Sequence, residues 1–266
     1  MLRTHAVTSK DSTKIVCKVE GRGPPLVLVH GCASVAERWT EVQPILSEHF
    51  TIYAMDRRGR GASGDSDRYS IEREFEDVAS VVASIEGPVD LLGHSFGGVC
   101  SMEAALQVNN LRRLIVYEPS TPTPGVVHYP DGFVNRLQEF LERGQREEVL
   151  LAFMREVVKM PPAVVSLIQL QPSWFNRVSA AHTLPRECRD LEKYHPDPNR
   201  FEALKTPTLF LLGGESPPRF RTAVSLMAEL ISDNRVEILP GQQHNAMDTA
   251  PGLFAETVIN FLQKNN

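Results

Sequence analysis

The residues with the clearest chemical potential lie around Ser95, in the run Leu91-Leu92-Gly93-His94-Ser95-Phe96-Gly97-Gly98. A serine hydroxyl is a poor nucleophile at neutral pH; it needs a base within hydrogen-bond reach, and the base needs an orienting partner. Gly-Ser turns commonly do no chemistry. Here the serine is centred in a G-x-S-x-G pattern that follows the apolar run Val89–Leu92 and precedes a helical pattern over 96–107. That strand-before, helix-after context points to a strained elbow with Ser95 as nucleophile. A base is expected on a loop after a later strand, and Leu239-Pro240-Gly241-Gln242-Gln243-His244 places His244 just beyond the strand expected at 236–239. His94 lies inside the elbow and His30 follows a buried strand, while His5, His49, His128, His182 and His195 have no such context. An oxyanion formed by attack on a carbonyl needs two preorganised backbone N–H donors. Phe96, directly after the nucleophile, supplies one, and Cys32 in His30-Gly31-Cys32-Ala33-Ser34 supplies the other. A thiolate role for Cys32 has no cationic sequence neighbour to support it.

These groups have to be delivered by strands. Residues 3–8 and 13–19 read as two strands joined by a polar turn, and Leu26–Val29 reads as a strand covered on both faces. Residues 36–48 read as a helix, 50–55 as a strand, and a helix follows from Ser70, a residue suited to the N-cap, with Glu72 and Glu74 in its first turn. Further strands are expected at 89–92, 114–117, 208–212 and 236–239, with a closing amphipathic helix carrying Leu253, Phe254, Val258, Phe261 and Leu262. Between about 121 and 203 the strand–helix alternation gives way to helical stripes only, such as Phe133, Leu137, Phe140 and Leu141, then Leu150, Leu151, Met154, Val157 and Val158. Repeated strand–helix units imply an α/β fold: a mostly parallel, twisted eight-stranded sheet flanked by helices. In such sheets ligands bind beyond the carboxyl ends of the strands, which is where His30-Gly31, Asp56, Ser95, Glu118, Gly213–Ser216 and His244 all fall.

The chain has 266 residues, 42% hydrophobic and 23% charged, with a net charge of -5. No Lys/Arg cluster stands out, which argues against a nucleic-acid partner. The apolar runs are strand-length, too short for a membrane span. Met1–Lys14 lacks the apolar core of a secretion signal. Cys17, Cys32, Cys100 and Cys188 are widely spaced with no C-x-x-C, as expected of reduced thiols in a cytoplasmic protein.

Leu26-Val27-Leu28-Val29-His30-Gly31, Asp56-Arg57-Arg58-Gly59-Arg60-Gly61-Ala62-Ser63, the elbow and Gly241-Gln242-Gln243-His244 occur in one order along the chain. In that order, with a helical insertion before the last third, the sequence resembles the α/β-hydrolase-fold enzymes over essentially its whole length. The resemblance implies a core made of 1–120 and 204–266 and a helical cap insertion at 121–203. The Asp56–Ser63 segment is similar to that family's Asp-x-x-Gly-x-Gly-x-Ser loop and implies an architectural role. The family usually takes its triad acid from an Asp after the strand preceding the histidine strand; here that position is Ser216, in Gly213-Gly214-Glu215-Ser216-Pro217. Some relatives take the acid from the strand end after the nucleophile's own unit, which is Glu118 in Leu114-Ile115-Val116-Tyr117-Glu118-Pro119. Glu118 is favoured, with Glu215 next and Asp248 third.

A serine at the elbow argues against the dehalogenases and epoxide hydrolases of the same fold, which use an elbow aspartate. The leading expectation is a cofactor-free serine hydrolase acting on an ester, thioester or lactone of a small to medium hydrophobic molecule. C–C cleavage of a diketone, or a cofactor-free lyase or perhydrolase reaction, fits the same residues. A ligand-binding protein with a decayed triad is the reading of another class, and Ser216 is the feature in its favour.

Overall fold

In a computed structural model, which describes residues 3–123 and 128–264, eight strands form one open sheet: β1 (Arg3–Thr8), β2 (Lys14–Gly21), β3 (Pro25–Val29), β4 (Thr51–Asp56), β5 (Val89–His94), β6 (Leu111–Tyr117), β7 (Thr208–Gly213) and β8 (Asn234–Leu239). Their order is β1-β2-β4-β3-β5-β6-β7-β8. β1 and β2 pair antiparallel, as do β2 and β4, and the remaining pairings are parallel. The central strands are apolar because both faces are covered: every residue of β5 and β7 is buried. Helices α2 (Ile71–Ala83) and α3 (Phe96–Ala105) contribute to the core on one face, while α1 (Gln43–Ser47) and α11 (Pro251–Gln263) contribute to that on the other.

Two local departures from the sequence pattern have simple causes. Residues 36–48 form a 3-10 turn, Ala36–Trp39, followed by a separate α1 with Pro44 in its first turn. Proline has no N–H to continue a helix but is well suited to start one. Ser70 occupies the N-cap of α2 with extended backbone, yet its side chain makes no capping hydrogen bond. Glu74, expected to complement the helix dipole, is instead buried in an ion pair with Arg57.

Between β6 and β7 the regular elements among the described residues are all helical. They form α4 (Phe133–Glu142), α5 (Arg146–Ala152), α6 (Pro162–Gln169), α7 (Trp174–Ala180) and α8 (Leu184–Lys193). Residues 124–127 of the expected cap lie outside the described residues. After α5 the chain widens into a π-turn at Phe153–Val157, closed by Val158 N–H donating to the Phe153 carbonyl at 3.1 Å. π-turns often sit at functional sites, and Phe153, Met154, Val157 and Val158 all line one cavity.

Candidate active site

The parallel register brings the strand ends to one rim: Val29 opposite Gly93, His94 opposite Tyr117, and Gly213 opposite Leu239. At the end of β5, Ser95 adopts φ 57° and ψ -120° and caps α3. A non-glycine residue in this region is strained and persists only when its surroundings over-determine it. They do so here. Ser95 N–H donates to the Tyr117 carbonyl at 2.9 Å, and the Ser95 carbonyl accepts from Gly98 at 2.9 Å and Ser120 at 3.2 Å. Gly97 is required by the same packing, since a Cβ there would overlap the Val29 and His30 carbonyl oxygens.

Glu118 directly follows β6, also at positive φ, 44°. Its buried carboxylate uses both oxygens: Oε1 accepts from the Gly213 N–H at 2.7 Å, and Oε2 lies 2.6 Å from His244 Nδ1. With the carboxylate on Nδ1, the imidazole proton is held there and Nε2 is left as an acceptor. The ring is clamped by Phe220 of α9 (Pro218–Leu230), stacked at 4.4 Å and 13° between planes. His94 Nε2 lies 2.9 Å from the His244 carbonyl and donates to it. Burial, reinforced by His244 and Arg38, holds His94 well below the usual histidine range, so it is a neutral support for the loop. Tyr117 adds a second tie, donating to the Gln243 carbonyl and accepting from Ala246 N–H at 3.2 Å.

Ser95 Oγ lies 3.1 Å from Ser120 Oγ, and among the described residues no hydrogen bond joins it to His244. Ser95, Ser120 and His244 nevertheless line one cavity of about 90 Å³, together with Cys32. At ~10–15 Å³ per water centre that is room for several waters or a small organic group. Among the described residues, neither the Cys32 nor the Phe96 backbone N–H has a hydrogen-bond partner. The Cys32 loop is pinned from below. His30 Nδ1 donates to the Gly31 carbonyl at 2.8 Å, Arg57 Nη1 donates to the same oxygen at 3.2 Å, and Ala33 takes φ 54°. Burial first, and Glu187 second, push the Cys32 thiol well above its ordinary pKa.

The other two acid candidates lie elsewhere. Glu215 is exposed, and Asp248 pairs with Arg38 of the 3-10 turn, whose Nη2 also donates to Asn245 Oδ1 at 2.8 Å. Ser216 Oγ is buried without a partner. The Asp56–Ser63 segment is tied down throughout. Asp56 accepts from the Ala36 and Ala62 amides at 3.0 Å each. Arg57 pairs with Glu74 and Glu187 at 2.8 Å each, and Arg58 pairs with Asp77 at 2.7 Å. Sequence reasoning missed Ser120, Phe220, Arg38 and Arg177 at the cavity. All four reach it by tertiary packing, and no local pattern marks them.

The comparisons agree with this architecture. The profile of the "Alpha/beta hydrolase family" matches residues 26–257. An alpha/beta hydrolase from Sphaerobacter thermophilus superposes with a TM-score of 0.85 at 33% identity, covering 97% of this chain and 100% of that one. The 2-hydroxy-6-oxo-6-(2'-aminophenyl)hexa-2,4-dienoic acid hydrolase of Metapseudomonas resinovorans is 24% identical over 92% of this chain and 86% of its own. The pimeloyl-[acyl-carrier protein] methyl ester esterase of Nitrosospira multiformis is 26% identical over 91% and 95% respectively. With a strained strand-to-helix turn at Ser95, a histidine after the last strand and a profile match over most of its length, the chain belongs to the alpha/beta hydrolase family.

Proposed function

We propose that the protein is a serine hydrolase that cleaves an ester, thioester or lactone of a small to medium, largely apolar substrate through an acyl-enzyme. The observation that carries this reading is the shared cavity. Ser95 on its strained elbow, His244 with Glu118 behind it, and the Cys32 loop meet at the same small space, which Ser95, His244 and Cys32 line. In the reaction the Ser95 hydroxyl turns from Ser120 to His244 Nε2, gives up its proton there and attacks the acyl carbon. The Phe96 and Cys32 amides hold the oxyanion, each donor being worth ~100- to 1000-fold in rate. Collapse expels the alcohol or thiol, which takes the proton from His244. Water then loses a proton to His244 and attacks the acyl-enzyme, and collapse releases the acid as Ser95 Oγ takes that proton back from His244. Glu118 orients the imidazole and stabilises its charge as it takes the proton. The helices of 121–203 act as a cap: Phe153, Met154, Met160 and Ile168 supply apolar wall. Of the other apolar cap residues, Phe133 is fully buried and Phe175 is 77% exposed.

The test is hydrolysis of a p-nitrophenyl ester series of rising chain length by wild type and Ser95→Ala, with a fluorophosphonate probe alongside. Turnover that vanishes in Ser95→Ala, and probe labelling confined to Ser95, are expected. An inert Ser95 with no turnover would favour a ligand-binding role. C–C bond hydrolysis of a diketone remains the second reading. What favours it is the likeness to the Metapseudomonas resinovorans hydrolase over 92% of this chain. Activity on a diketone but on no ester would select it.

A further inference from the structure

We infer that the cavity contains an anion subsite, and that the substrate carries a carboxylate that pairs with the guanidinium of Arg177. The inference rests on the serine-hydrolase reading for the reacting end of the substrate and concerns the other end. Arg177 is on α7, within the helical segment between β6 and β7, and is only 9% exposed. It lines the same cavity as Ser95 and His244.

Five arginines are buried among the described residues: Arg38, Arg57, Arg58, Arg60 and Arg177. The first four each meet a carboxylate: Arg38 meets Asp248, Arg57 meets Glu74 and Glu187, Arg58 meets Asp77, and Arg60 meets Glu187. Arg177 alone of the five has neither an ion pair nor a side-chain hydrogen bond among the described residues. An uncompensated buried charge is among the costliest features a fold can keep. The nearby charges do not relieve it. Asp248 favours the cation but is engaged by Arg38, and Arg38 itself opposes it. Burial, with Arg38 behind it, pushes Arg177 down to about 10, which leaves it protonated at neutral pH.

The cavity as a whole has the same imbalance. Three guanidiniums, on Arg38, Arg177 and Arg219, line it against the single carboxylate of Asp248. Arg219 is engaged, donating to the Val157 carbonyl at 3.0 Å with its guanidinium 4.8 Å from the Phe220 ring centre. A positively charged, low-dielectric cleft concentrates anionic ligands. Three further polar atoms of residues in the lining, Ser34 Oγ, Thr121 Oγ1 and His128 Nε2, are buried without partners. A purely apolar substrate would leave Arg177 and these three atoms unsatisfied. A monoester or thioester of a short dicarboxylic acid presents an acyl carbon to Ser95 and a carboxylate to Arg177, with a short apolar chain between them.

The experiment compares p-nitrophenyl hemiadipate with neutral p-nitrophenyl hexanoate, using wild type, Arg177→Met and Arg177→Lys. Wild type should prefer the hemiadipate by at least about 10-fold in kcat/KM, as expected of one charge-assisted pair. That preference ratio should fall about 10- to 100-fold in Arg177→Met and recover in part in Arg177→Lys. Free adipate should also raise the Tm of wild type and not that of Arg177→Met. The variant itself should melt no lower than wild type, because it removes a buried unpaired charge. Equal rates on the two esters in wild type, or equal losses on both in Arg177→Met, overturn the inference. If neither ester is turned over, the serine-hydrolase reading is decided by the ester series and the fluorophosphonate probe. The subsite is then judged by adipate stabilisation alone, and an adipate response that is absent, or the same in both proteins, overturns it.

Discussion

Replacing Glu118 by Gln changes one atom, and the structure indicates what that change does to the site. Both carboxylate oxygens are in use, Oε1 accepting from the Gly213 N–H at 2.7 Å and Oε2 facing His244 Nδ1 at 2.6 Å. A carboxamide has one acceptor and one donor end. If its oxygen keeps the Gly213 N–H, its NH2 faces Nδ1 and forces the imidazole proton onto Nε2, where it can no longer accept from Ser95. If it flips to satisfy Nδ1–H, its NH2 meets the Gly213 N–H donor to donor, in a buried place where an unsatisfied donor costs about 1–3 kcal/mol. The first arrangement is therefore preferred, and it is the unproductive tautomer. Swapping the acid of a Ser-His-acid triad for its amide costs about 10^4 in kcat, or ~5.4 kcal/mol of barrier at 1.36 kcal/mol per decade. We expect kcat of Glu118→Gln on a short p-nitrophenyl ester to fall by about that factor with little change in KM, at unaltered far-UV circular dichroism. Glu215→Gln, on an exposed side chain, is the control and should stay within about 2-fold of wild type. A Glu118→Gln rate within about 10-fold of wild type would refute this reasoning. Collapse in Glu215→Gln would move the orienting role to that residue.

Two further outcomes follow from the buried charges. Glu187→Gln leaves Arg60 without a carboxylate and Arg57 with Glu74 alone. Stranding a buried charge costs about 3–5 kcal/mol, so at roughly 2–4 °C per kcal/mol the Tm should drop by roughly 6–20 °C; a drop under 2 °C would show that the network is not holding α8 to the core. Burial raises the pKa of all four thiols, that of Cys17 to about 12, and the thiolate is the reactive form. A disulfide reagent at pH 8 should therefore titrate no cysteine of the native protein within minutes and four after unfolding in urea, and fast loss of activity through Cys32 would contradict this.

What could be read from the sequence and what could not divides by the range of the interactions involved. Strands such as Leu26–Val29 and Val89–Leu92 are legible because burial on both faces demands an unbroken apolar run, and that demand is local. Ser95 is legible for the same reason: the glycines that let the backbone turn and pack, Gly93 and Gly97, stand two residues to either side. His244 needed one further step, a position after the last strand. Glu118 was reachable only as one of several strand-end carboxylates, because its choice over Glu215 depends on the Gly213 amide, 95 residues away. Arg38 and Asp248, 210 residues apart, could not have been paired from any pattern. The solitude of Arg177 is more distant still from anything a pattern contains. An unpartnered charge has no signature in a sequence that has 28 basic and 33 acidic residues. It becomes visible only once the other four buried arginines have been matched to their carboxylates. On the reading proposed above, the local rules that build the elbow place the reacting atoms, and the long-range placement of charge selects the molecule they act on. For that reason Arg177, rather than the elbow, is where variants of this chain should differ in substrate preference while keeping the same chemistry.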